Sequence, residues 1–211
     1  MSHFIMGCLV PKEFVENETI NAFISEKMEL YSEELLVEPY VYKIKEELES
    51  EFADFLLKQK SKMSFKEWIP YWYGRSLNEN GDLMSTSNPN SKWDWYRIGG
   101  RWDGYLANMK IKSDDNGFNF SEKHETIEKH ETIEKNVVKI EKHLENVLND
   151  FEKYCCFGLI TPDGNWLDKG EMGWWGIVHE EKDIDAWKNE YIKILQSQDE
   201  NDYIVALDCH I

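Results

Sequence analysis

Apolar positions along the chain form two patterns, short unbroken runs and helical stripes. Phe4 to Val10 is an apolar run closed by Pro11 and reads as a buried strand. Residues 12–38 are mixed and acidic and read as surface loop with a helical turn or two. Pro39 suits a first helical position, and Val41, Ile44, Leu48, Phe52, Phe55 and Leu56 then recur at helical spacing through Lys60. Ser64-Phe65-Lys66-Glu67 fits a capping box that opens a short aromatic helix through Trp68 and Trp72. Asn80-Gly81 and Asn88-Pro89-Asn90 are turn signals, and a strand is expected over Tyr105–Ile111.

In the second half, Val137, Ile140, Leu144, Val147, Leu148 and Phe151 make a helical stripe. It predicts a long, partly surface helix over about 120–150. Tyr154 to Thr161 reads as a strand, and Thr161-Pro162-Asp163-Gly164 as a turn. A hairpin is expected to return through Gly173–Val178, followed by a helix marked by Ile184, Trp187, Tyr191 and Leu195 and a last strand over Tyr203–Cys209. This order predicts a single α+β domain over 1–211, with a mostly antiparallel sheet, central N- and C-terminal strands, and helices packed on one face. Such an arrangement brings His3 and His210 near one another if the strand register allows it.

Composition narrows the class. The chain has 211 residues, of which 41% are hydrophobic and 14% aromatic, so a packed core is expected. The net charge of −17 repels duplex nucleic acid and anionic lipid at long range, yet screening leaves room for a local anion site. Cys8, Cys155, Cys156 and Cys209 have neither zinc spacing nor the pattern of a disulfide framework, and read as reduced core cysteines. The chain shows no apolar run long enough to span a bilayer and no leader-like start, so a cytoplasmic location is expected. His124, His130 and His143 lack the spacing of a metal helix and read as surface residues; neither a metal nor a cofactor is expected.

Candidate chemistry concentrates in Lys92-Trp93-Asp94-Trp95-Tyr96-Arg97-Ile98-Gly99-Gly100-Arg101-Trp102. Trp93, Trp95, Tyr96 and Trp102 offer stacking faces, and Gly99-Gly100 permit close approach of a ligand or another backbone. Lys92, Arg97 and Arg101 supply positive charge, and Arg101 adds a planar fork for phosphate or carboxylate. The expected ligand is flat, anionic and nucleotide-like. The structural alternative is a strand with alternating aromatics, a bulge at Gly99-Gly100, and Arg101 paired with Asp94 or Asp103. A second candidate is terminal: His3 and His210 are acid and base if the protein is an enzyme, with Lys92 or Arg101 holding a phosphate and Asp208 able to orient a histidine.

Several of these segments together resemble a family of small phage and prophage proteins. They are the start Met1-Ser2-His3-Phe4, the stretch from Asn88 through Trp102, the turn Thr161–Gly164, Met172-Gly173-Trp174-Trp175-Gly176, and the tail Asp208-Cys209-His210-Ile211. The duplicated Lys123-His124-Glu125-Thr126-Ile127-Glu128, repeated at 129–134, lies outside the resemblance. The resemblance implies a counter-defence protein that binds and sequesters a nucleotide-derived immune signal, such as a cyclic ADP-ribose derivative or a cyclic dinucleotide. Two alternatives are a metal-free phosphodiesterase that cleaves such a signal, and an inhibitor that binds a host protein directly. A homo-oligomer is a milder expectation, since symmetric dimers are the commonest assembly.

Overall fold

The computed structural model describes residues 2–60, 62–107 and 135–211. The expected strand over Tyr105–Ile111 falls partly outside these residues, as do 120–134 of the expected long helix and the duplicated hexapeptide. The chain divides into two compact units, 1–33 with 90–211 and 34–89, where the sequence reads as one domain.

The larger unit contains β1 (His3–Val10), α1 (Lys12–Glu16) and α2 (Ile20–Glu29). Following residue 90 come β4 (Trp95–Ile98), a 3-10 turn over Gly100–Trp102, β5 (Val137–Lys139), α5 (Ile140–Asn149) and α6 (Phe151–Tyr154). Then come β6 (Gly158–Ile160), β7 (Trp166–Asp168), the short ladder of β8 (Glu171–Met172) with β9 (Val178–His179), α7 (Ile184–Gln196) and β10 (Tyr203–His210). The main sheet has the order β4-β10-β1-β6-β7, with β5 beside β4 on the same edge of β10. Only β1 and β6 run parallel among these pairs. The α+β class and the central terminal strands are as the sequence predicts.

β1 and β10 are buried on both faces, which explains their near-continuous apolar runs. Phe4, Met6, Cys8 and Val10, with Val205, Leu207 and Cys209, face a core closed by Ile20, Phe23, Ile24 and Met28 of α2. Ile5 and Leu9, with Ile204 and Ala206, face a second core closed by α5, α6 and α7 through residues such as Ile140, Phe151, Trp187 and Tyr191. Helices therefore cover both faces of the sheet rather than one. The physical reason lies in residues 12–38, which are not mostly loop: α2 presents four buried apolar side chains at positions 20, 23, 24 and 28.

The long stripe from 137 also divides. Val137–Lys139 extend as β5 against Tyr203–Val205, and the helix begins only at Ile140. His143 lies on the buried face of α5 with Ile140 and Val147, and is fully buried rather than a surface residue. Its Nε2 lies 2.9 Å from Tyr191 Oη, and burial lowers its pKa to about 4.

The smaller unit pairs β2 (Leu36–Lys43) with β3 (Leu83–Ser87) and carries α3 (Lys45–Gln59) and α4 (Phe65–Tyr73). Pro39 sits inside β2, not at a helix start; the helix begins after Ile44. The Ser64–Glu67 capping box is present as expected. Leu48, Trp68, Ile69 and Leu83 form a separate small core. No described helix is long and apolar enough to cross a membrane.

Candidate functional site

The residues singled out in the sequence fall on two sides of the main sheet. Strand alternation decides which side each takes. Trp93 packs into the α2 side and donates its indole N–H to Met28 O at 3.0 Å. Tyr96 packs on the same side, and burial raises its phenol pKa. Lys92 lies 3.7 Å from Asp168 and lines a cavity of about 40 Å³ with Phe4, Phe157 and Ile211. These three residues stand away from the histidines.

The other face gathers a different set. His3 and His210 are register partners on β1 and β10, and their ring centroids are 4.9 Å apart. Trp95 is the register partner of His210 on β4 and stacks on its ring at 5.1 Å, with an interplanar angle of 15°. It also meets His3 edge-on, again at 5.1 Å. Arg97 follows two residues later, opposite Asp208, with its guanidinium 5.9 Å from the Trp95 ring. Trp102 packs against the helical core of this face.

Each histidine is held by its own carboxylate. His3 donates from Nδ1 to Asp208 Oδ1 at 2.8 Å, and His210 donates from Nδ1 to Asp94 Oδ1 at 2.6 Å. An ionised carboxylate can only accept, so opposite an ionised Asp208 or Asp94 the proton sits on Nδ1 and Nε2 is left as the nitrogen that can exchange a proton with a ligand. Asp208 is fully buried. Its second oxygen accepts the Arg101 backbone N–H at 3.1 Å and lies 3.8 Å from Arg97 Nε. These partners offset the desolvation of a buried charge.

Gly99 and Gly100 serve that carboxylate. Both have positive φ, +72° and +60°. A Cβ on Gly100 would stand 2.3 Å from Asp208 Oδ2, and one on Gly99 would stand 2.4 Å from Asn136 Nδ2. The two glycines therefore bring the backbone against Asp208 and Asn136, and through this approach the Arg101 amide reaches the buried oxygen. Asp94 and Asp103, the acids expected opposite Arg101, are engaged by His210 and Asn136 instead.

The arrangement can move protons and hold an anion. Two imidazoles with fixed tautomers lie side by side, while Trp95 and Arg97 remain 38% and 63% exposed beside them. Among the described residues no group of three or more His, Cys, Asp or Glu side chains is placed to hold a metal ion. The sequence pointed to His3, His210, Trp95 and Arg101, and to Asp208 as a residue able to orient a histidine. It did not point to Asp94 as the partner of His210, and it treated Arg97 only as added charge. The signal for both was alternation along β4, usable only once β4 is known to pair with β10. Comparison of the chain with family models, with curated proteins and with solved structures found no match.

Proposed function

We propose that this chain is an acid–base catalyst acting on a phosphodiester of a nucleotide-like ligand without a metal ion. The observation that carries the reading is the pair of His–Asp dyads, His3 with Asp208 and His210 with Asp94, on adjacent strands. Phosphodiester cleavage needs one group to take a proton from the attacking oxygen and one to give a proton to the leaving oxygen, and two imidazoles suit both tasks near neutral pH. Arg97 would bind the anionic phosphate oxygens, and the exposed Arg101, whose backbone amide meets Asp208, is a second candidate cation. Lys92, paired with Asp168 on the other side of the sheet, has no part in this reading.

Sequestration is the second reading, and one observation favours it. The histidine side chains are only 11% and 6% exposed, whereas the groups that would grip a ligand, Trp95 and Arg97, are the more open ones. On the resemblance to phage proteins, the ligand in either case is a nucleotide-derived immune signal, and the protein counteracts bacterial defence inside the host cell.

Incubation with a panel of cyclic dinucleotides and ADP-ribose derivatives, followed by chromatography, separates the two. New products that disappear in His3→Asn and His210→Asn variants support catalysis. Tight binding with ligand recovered unchanged after the protein is denatured supports sequestration. A folded protein that neither binds nor converts any of them sinks both.

A further inference from the structure

The surroundings of the histidine pair restrict what the attacking oxygen can be. Among the described residues, the side chains bonded to or stacked on the two rings are Asp94, Asp208 and Trp95, with Arg97 next to them. Asp94 and Asp208 are committed to the Nδ1 atoms. Both oxygens of Asp208 are occupied, and the group is fully buried, so it cannot orient a water molecule. Cys209, the residue between Asp208 and His210, faces the opposite core, and burial holds its thiol protonated. Ser2, next to His3, is taken up by Gly173 O and the Gly176 N–H. Among the described residues, no side-chain hydroxyl or thiol therefore stands free at the rings to act as a nucleophile, and Asp94, 29% exposed, already has its Oδ1 on His210.

We infer that the substrate brings its own nucleophile: a hydroxyl next to the phosphodiester, as a ribonucleotide linkage provides. The inference rests on the acid–base reading above and specifies its substrate class. A neighbouring hydroxyl is already positioned by its covalent frame, and well-oriented intramolecular reactions reach effective molarities of ~10⁵–10⁸ M. That advantage removes the need for a side chain that positions water. One imidazole takes the hydroxyl proton at Nε2 as the oxygen–phosphorus bond forms. The bond from phosphorus to the leaving oxygen breaks, and the other imidazole, starting protonated, gives its proton to that oxygen. The products are a five-membered cyclic phosphate and a free alcohol. One proton is taken and one given, no water is consumed, and exchange with solvent resets the two rings. The net charge of −17 disfavours long polyanions, so the substrate is of dinucleotide size rather than a long RNA.

The test uses the intact protein with linear and cyclic 3′,5′-linked dinucleotides, each as a ribose and 2′-deoxyribose pair, with EDTA throughout. Products are followed by chromatography and phosphorus NMR. The expected result is cleavage of a ribose form to a 2′,3′-cyclic phosphate, with its deoxy counterpart at least about 10³-fold slower and acting as a competitive inhibitor. Equal cleavage of both forms overturns the inference and leaves the acid–base reading standing. If neither form of any pair is cleaved by protein shown to be folded, the acid–base reading falls and the inference falls with it.

Discussion

His3 and His210 face each other across β1 and β10, and each has its Nδ1 occupied by a carboxylate, Asp208 for one and Asp94 for the other. The pairing makes the two rings equivalent in kind but not in setting. Asp208 is fully buried, while Asp94 is 29% exposed at the start of β4. If one ring must be neutral and the other protonated during turnover, the rate against pH is bell-shaped. Replacing either histidine by Asn should remove the bell, with activity lowered about 10²–10⁴-fold. A variant lacking one histidine that keeps the full bell and the full rate would show that this residue takes no part.

Asp208→Asn keeps the shape of the side chain but cannot hold the His3 tautomer as an ionised carboxylate does. The expected outcome is a loss in kcat of about 10²-fold or more, with KM for the dinucleotide little changed. Circular dichroism should show a retained fold, because an amide oxygen can still accept the Arg101 N–H. A variant with unchanged kcat would remove Asp208 from the mechanism.

Gly100→Ala and Gly74→Ala form a matched pair, since both glycines have φ near +60°. An added Cβ at Gly74 meets nothing within 4 Å, so only the left-handed conformation opposes it, at about 1–2 kcal/mol. At Gly100 the same Cβ would lie 2.3 Å from Asp208 Oδ2. Gly100→Ala should therefore lower stability more than Gly74→Ala and lower activity as well, measured by denaturant unfolding and by turnover. Equal effects on both would show that the close approach to Asp208 carries no weight.

His143 predicts an acid limb in the stability curve. Burial lowers its folded pKa to about 4, from an ordinary value near 6.5. Above about pH 6.5 the ring is neutral in both folded and unfolded chains and contributes no pH dependence. Between about 6.5 and 4 the unfolded chain binds a proton that the folded chain does not, so stability falls with falling pH. The loss is at most about 3.5 kcal/mol, given about 1.4 kcal/mol per pKa unit. Among the described residues its buried Nδ1 has no hydrogen-bond partner, so nothing at that nitrogen favours the charged ring. Urea unfolding of His143→Leu between pH 7 and 4 should show a flatter dependence than the parent protein. An identical slope would assign the acid limb to other groups.

The legibility of this protein in its sequence follows from the range of the interactions. Unbroken apolar runs over Phe4–Val10 and Tyr203–Cys209 marked two strands buried on both faces, and their shared character pointed to a central pair. A capping box marked the start of α4, and the stripe at Ile184, Trp187, Tyr191 and Leu195 marked α7. All of these are local patterns that the final structure also satisfies. Val137–Lys139 shows the limit of such patterns. Its apolar spacing fits either a helix or a strand, and the open edge of β10 over Tyr203–Val205 decides in favour of the strand. His143 shows the same limit: its place on the stripe of Ile140 and Val147 was visible, but its polarity argued for the surface until Tyr191 supplied a partner.

At the candidate site, alternation alone determined that Asp208 and His210 share a face and that Trp95 and Tyr96 do not. The side of the sheet on which each lies, and the meeting of His3 with His210, depended on pairing between segments about 200 residues apart in the chain. Asp94 came to His210 only because β4 adds to the other edge of β10 in the register that sets Trp95 opposite that histidine. Backbone hydrogen bonding and two-sided burial choose such a register, and a one-residue slip would send every one of these side chains to the opposite face. The sequence by itself thus determined which residue types were available for proton transfer and anion binding. Tertiary structure alone decided that two of them, each oriented by a carboxylate, would stand side by side.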